Sequence, residues 1–314
     1  MNILRQILIL FCFPLFLNAQ ISEQFAMNQF KKYSPSTYFA LKSFKENGSS
    51  VSFDGRTISS SMKSFEFCNL SSTKSFLQSI STTVHESIHA FDNQLPILQA
   101  KKGYYTHKGA DEGFYIDENT LFVYEFPKNK LFASRNLARS IPENLRTFRY
   151  KTYIESESKI QSTQSSGVVG LLEEFNAYYH GSKVIFDLLP LFKEAYGDQF
   201  LTDWSYKFHS NADAFYEFDF FVKEYLLYAK EYEPMLYREL KNDTNFKYIY
   251  RTIRTKFYSM IKEYEKKYDE LNLQASKSKV FVFSSQKHSD LIYPILSEHI
   301  ESEKYETIKR DFLE

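Results

Sequence analysis

Cysteine is almost absent from this 314-residue chain, which has only Cys12 and Cys68. Cys12 falls in the apolar N-terminal stretch treated below, so Cys68 stands alone in the rest of the chain and no internal disulfide can brace it. Net charge is missing too. The 39 Lys and Arg balance 39 Asp and Glu, which removes the one-signed field that nucleic acid or an anionic membrane surface would attract. Tryptophan occurs once, against 24 Tyr and 31 Phe. Burial therefore falls to Phe and Tyr, and each buried Tyr brings a hydroxyl that needs a partner. Internal repeats are lacking, and beyond the first twenty residues so is any run apolar enough to span a bilayer. What remains, 43% hydrophobic and 25% charged, is a globular composition.

The first twenty residues, MNILRQILILFCFPLFLNAQ, read as an export signal. Arg5 lies in a short leading region, residues 7–17 are apolar, and the small Ala19 precedes Gln20. The apolar run is shorter than the roughly 18–20 residues a span requires, and Pro14 interrupts it. We expect residues 1–19 to be removed and the mature chain, without a transmembrane segment, to be secreted or periplasmic. Without disulfides, an exported fold rests on its core and on any metal it binds.

Residues 22–46 look partly helical, and 46–67 read as short strands turning at Asn47-Gly48 and Asp54-Gly55. From Ser71 to Leu95 the apolar positions Leu77, Ile80, Val84, Ile88, Phe91 and Leu95 step by three and four, which predicts one long helix ended by Pro96. GFYIDENTLFVYEF resembles a hairpin turning at residues 117–119, and FRYKTYIES reads as a further strand. A second helix begins near Val168. Amphipathic helices follow over 191–275, then a short strand at 279–285 and a helical tail.

HESIH lies inside the long helix. Residues four apart share a helix face, so His85 and His89 direct two imidazoles to one point, as a tetrahedral zinc site uses them. Glu86, one position round, suits the role of base toward a water on that metal. A catalytic site needs a third protein ligand. No HxxGxxH continuation follows His89, so the candidates are Glu173 and Glu174, which open LLEEFNAYYH on the second helix.

TTVHESIHAFD with a distant EEFNAY resembles the gluzincin branch of the zincin metallopeptidases, a likeness confined to these two helices. It implies one Zn2+ ion held by His85, His89 and the Glu that precedes a small residue by three positions. Glu174 with Ala177 matches that spacing, and Glu173 is the fallback. Many members carry an Asp four residues after the ligand Glu, where this chain has Tyr178; Asp92 is another candidate partner for a ligand His. The resemblance implies a peptide or protein substrate, with Glu86 as general base. Tyr178, Tyr179, His180 and the Tyr206/His209 pair are candidate oxyanion donors, and residues 49–58 are a candidate edge for an extended substrate. His107, His288 and His299 have no partner at ligand spacing, and Cys68 reads as a buried small hydrophobe.

The expected fold is α+β and predominantly α-helical: a zincin-like metal-binding core over 20–190 with a small sheet, then a mainly helical part over 191–314. The alternative to a zinc-dependent peptidase is an exported zinc-binding protein that acts as a binding module.

Overall fold

The computed structural model describes residues 20–106, 111–127, 130–277 and 292–314, without the side chains of 275–277. Helices α1 (Glu23–Tyr33) and α2 (Pro35–Asn47) are followed by the hairpin β1–β2 (Ser50–Phe53, Arg56–Ser59) and the long α3 (Thr73–Lys101). A second hairpin, β3–β4 (Asp111–Asp117, Thr120–Glu125), precedes the short α4 (Phe148–Tyr153) and α5 (Ser162–Ser165). The rest is helical: α6 (Gly167–Asp187), α7 (Leu189–Tyr196), α8 (Phe200–Ala212), α9 (Ala214–Tyr232), α10 (Pro234–Asn242), α11 (Thr244–Lys277) and α12 (Ile292–Ile300). The architecture is α+β and predominantly helical, with two separate two-stranded antiparallel sheets among the described residues. The expected leader and the strand expected at 279–285 lie outside the described residues.

Helix α3 starts where Ser72 accepts a hydrogen bond from the Ser75 amide, a side-chain cap for one of the unpaired first-turn donors. Its apolar stripe is buried as the spacing predicts. The helix does not end at Pro96. A proline inside a helix removes the hydrogen bond to the carbonyl four residues back, here that of Asp92. The backbone of β3 lies against that carbonyl: a Cβ on Gly113 would stand 2.3 Å from Asp92 O and 2.6 Å from Leu95 Cβ. Only glycine admits the strand so closely, and the packing carries α3 past the proline to Lys101.

Residues 148–153 form helix α4, where a strand was expected. The buried residues Tyr150, Tyr153 and Ile154 step by three and one, which is a helical face. The hydroxyl of Tyr150 donates to the Ala138 carbonyl and that of Tyr153 meets Tyr178, so α4 is fixed by its own aromatic residues.

The centre of the molecule is α6. Its residues are apolar over most of the circumference, the pattern of a helix enclosed on all sides, and α3, α8, α9, α11 and β3 pack around it. Residue 190 falls within α7, and one apolar cluster runs from Ala26 to Phe312. Helix α6 crosses α3 antiparallel where a Cβ on Gly181 would meet Ser81 O at 3.0 Å. The absent side chain is what lets the two helices approach.

Three buried polar side chains clamp the backbone of Tyr115 in β3. Asp92 Oδ1 accepts its N–H at 2.7 Å, while Asn176 Nδ2 (3.0 Å) and His180 Nε2 (2.8 Å) donate to its carbonyl. His180 is therefore the Nε2–H tautomer, and burial brings its pKa down to about 4. An unfolded histidine titrates near 6.5. As pH falls from about 6.5 to about 4 the unfolded chain gains a proton that the folded one refuses, and stability declines by on the order of 3 kcal/mol. Urea unfolding in chelator should show the stability advantage of wild type over His180→Gln shrinking from pH 7.5 to pH 5. An advantage that stays constant would show that His180 is not held neutral.

Candidate metal centre

The crossing of α3 and α6 sets two histidines opposite two glutamates. His85 Nε2 and His89 Nε2 stand 3.1 Å apart, and Glu174 Oε2 lies 3.4 Å from the first and 3.5 Å from the second. Four ligands about 2.0–2.1 Å from a tetrahedral centre are separated by about 3.3–3.4 Å, so the three atoms mark three corners of such a polyhedron. Among the described residues this is the one group of His, Cys, Asp or Glu whose donor atoms converge in this way. Glu174 is 8% exposed, and its Oε2 is buried without a hydrogen-bond partner. Its ion-pair contacts with the two imidazoles are too long for good hydrogen bonds, and a cation at the open centre would satisfy the oxygen more fully. The residues fit a zinc ion.

The electrostatics agree. Burial opposes charge on both His89 and Glu174, but each outweighs that cost for the other. The two glutamates hold His89 protonated well above the ordinary histidine range, and His89 with His85 holds the Glu174 carboxyl well below the usual carboxylate range. A metal entering this site takes the place of the proton on His89.

The two adjacent glutamates divide the work. Successive helical residues point about 100° apart; Glu174 faces the two Nε2 atoms while Glu173 Oε1 accepts from His89 Nδ1 at 3.0 Å. That bond keeps a proton on Nδ1 and fixes the ring orientation of His89, so the proton a metal would displace is the one on Nε2. The partner of His89 is thus Glu173. Asp92, completely buried, is spent on Tyr115 and on Asn176 Nδ2 at 2.9 Å. Glu112 of β3 joins the same acidic surroundings: burial first, then the neighbouring Glu173 and Asp92, raise its carboxyl well above the usual range.

Glu86 is half-buried beside His85 and makes no hydrogen bond or ion pair with the other described residues. Of the candidate donors, Tyr178 stands at the cluster, its ring centroid 4.5 Å from that of His85. Its hydroxyl is 3.1 Å from that of Tyr153. Burial, followed by the charge of Glu174, pushes the Tyr153 phenol above its ordinary pKa and keeps its proton on. Tyr153 escaped sequence reasoning because its segment read as a strand; the three-residue step from Tyr150 was the available signal. Tyr179 packs on Phe257, His180 is committed to Tyr115, and Tyr206 is exposed while His209 packs on Tyr264.

Among the described residues the β1–β2 hairpin pairs only with itself, and Gln94 of α3 donates to the Gly48 carbonyl just before it. His107 and His288 lie outside the described residues. His299 packs between Phe220 and Tyr305. Cys68 is part-buried, and burial raises its thiol to about 11, which rules it out as a nucleophile near neutral pH. No family model, curated protein or solved structure matches the chain. The geometry carries the reading alone.

Zinc titration against a competing chelator should give one ion per chain. Glu174→Gln and His85→Ala should lose affinity by more than about a hundredfold, whereas Glu173→Gln, which removes only the orienting bond, should retain one ion with affinity lower by about 10–100-fold. A larger loss for Glu173→Gln than for Glu174→Gln would reverse the two roles.

Proposed function

We propose that this protein is an exported zinc-dependent peptidase, with His85, His89 and Glu174 as metal ligands and Glu86 as general base. The observation that carries the reading is the three-atom donor set of 3.1–3.5 Å edges beside an uncommitted glutamate. A structural zinc site closes its tetrahedron with a fourth protein ligand, while a catalytic one leaves that corner free. Among the described residues three donors converge and not four, which favours catalysis over the binding-module alternative.

Zinc held here supplies Lewis acidity, lowering the pKa of water to about 7 and polarising the scissile carbonyl. Glu86 accepts the proton from the attacking water and passes it to the departing amine nitrogen, so that one carboxylate serves as base and then as acid. The oxygen that gains negative charge needs an O–H or N–H aimed at it. We assign that part to the Tyr153–Tyr178 pair, since the Tyr153 phenol keeps its proton and Tyr178 lies against His85. Glu173 holds His89 in place and takes no part in proton transfer.

With zinc-loaded protein and a mixed peptide library, Glu86→Gln should keep its metal and lose about 10²–10⁴ in kcat. Equal cleavage by wild type and variant would sink the role of Glu86, and no cleavage by the zinc-loaded wild type would leave the binding-module reading. Tyr153→Phe should lower kcat by about 10–100-fold with KM little changed, the pattern of an interaction made only in the transition state. A change in KM alone would instead make Tyr153 a substrate-binding residue.

A further inference from the structure

Helices α8, α9, α11 and α12 line a half-open cavity of about 400 Å³ that shares no residue with the three-donor cluster, within the size range of small-molecule sites. Its floor is aromatic. Tyr264 is buried and stacked on Phe208 at a centroid distance of 3.8 Å, with its hydroxyl turned aside to Ser205. Tyr216 and Tyr293 form walls, and Asp213, Glu265 and Asp269 bring three carboxylates to the lining, with no Lys or Arg among the described residues there. Glu265 shares its charge with Lys262 at 2.8 Å. Among the described residues Asp213 has only His209 at 3.9 Å as an ion-pair partner, and Asp269 has none.

Aromatic rings and carboxylates in one lining repel anions and attract cations. The cation is not a metal ion, because the carboxylates here do not converge as the His85 group does. An ion with an apolar body fits both halves of the lining at once, its alkyl part on the rings and its charge toward Asp213 and Asp269. We propose that this cavity binds an alkylammonium group, supplied either by a free amine or by the lysine side chain of a peptide. The wall it would rest on leads inward. Tyr293 donates to Glu217 at 2.6 Å, Glu217 pairs with Arg149 at 2.8 Å, and the Arg149 guanidinium lies 4.5 Å over the Tyr178 ring at His85.

The site stands or falls independently of the zinc reading, and its test uses metal-free full-length protein. Isothermal titration with n-butylammonium, Nα-acetyl-lysine amide and the tripeptide Ala-Lys-Ala is compared with n-butanol, a neutral molecule of matching shape. The cations should bind saturably and at least about tenfold more tightly than butanol, a difference of about 1.4 kcal/mol. Asp213→Asn and Asp269→Asn should each weaken them by about fivefold, and Tyr216→Leu by a similar factor, with circular dichroism unchanged. Ala-Lys-Ala binding more tightly than butylammonium identifies a peptide lysine as the source; equal or weaker binding identifies free amines. Butanol binding as well as the amines, affinity indifferent to both Asp substitutions, or no saturation by any amine would overturn the proposal.

Discussion

The close antiparallel crossing of α3 and α6 is the constraint on which the rest depends. At one end Gly181 faces the Ser81 carbonyl, where a methyl group would already be tight at 3.0 Å. At the other, Asp92 and Asn176 share a buried hydrogen bond of 2.9 Å. Between these ends lie about three helical turns of α3, and on them His85 and His89 meet the Glu173–Glu174 pair. Neither helix can slide without breaking one end contact. The donor triangle is therefore held by backbone proximity and by a buried polar anchor, with no flexible loop in its construction. Such rigid support is what a ligand set needs if it is to wait in the geometry of its ion.

Around that crossing the protein buries an unusual amount of charge and offsets it locally. Glu217 receives Arg149, Thr147 and Tyr293, and Asp219 receives Lys223, Tyr250 and Arg254. Breaking a buried pair by removing one partner strands the other charge at a cost of about 3–5 kcal/mol. These groups therefore specify which helices face each other more than they add net stability. The donor cluster is the exception. It gathers Glu173 and Glu174, with Glu112 and Asp92 behind, around two imidazoles, and a divalent cation is the natural counterweight to so many acids.

Much of this was legible in the sequence. The three-and-four spacing of Leu77 to Leu95 located α3 and oriented HESIH on it, and the helix bearing Glu173 and Glu174 and the hairpin at 111–125 were visible from pattern and turn residues. The failures have physical causes. Pro96 reads as a stop because local rules see one lost hydrogen bond; they do not see the strand, 17 residues further on at Gly113, that packs over the gap. FRYKTYIES looks like a strand because its aromatic and β-branched residues favour one, but tertiary packing of Tyr150 and Tyr153 settles it as a helix. The gluzincin resemblance pointed to Glu174 over Glu173, whereas the use of Glu173 as the partner of His89 depends on the angle at which two helices cross, which no linear pattern encodes.

The separation of the two halves of the cluster has a kinetic side. His89 and Glu174 lie 85 positions apart, and closing a loop of that length costs about 4 kcal/mol of chain entropy before any contact repays it. The helices from α7 to α10 are joined by very short connections and meet their neighbours at little such cost. Local helical pairs form early in folding and distant ones late. The three donors come together only once α3 and α6 have found each other, so a metal bound here would be added to a structure that the apolar core has already assembled.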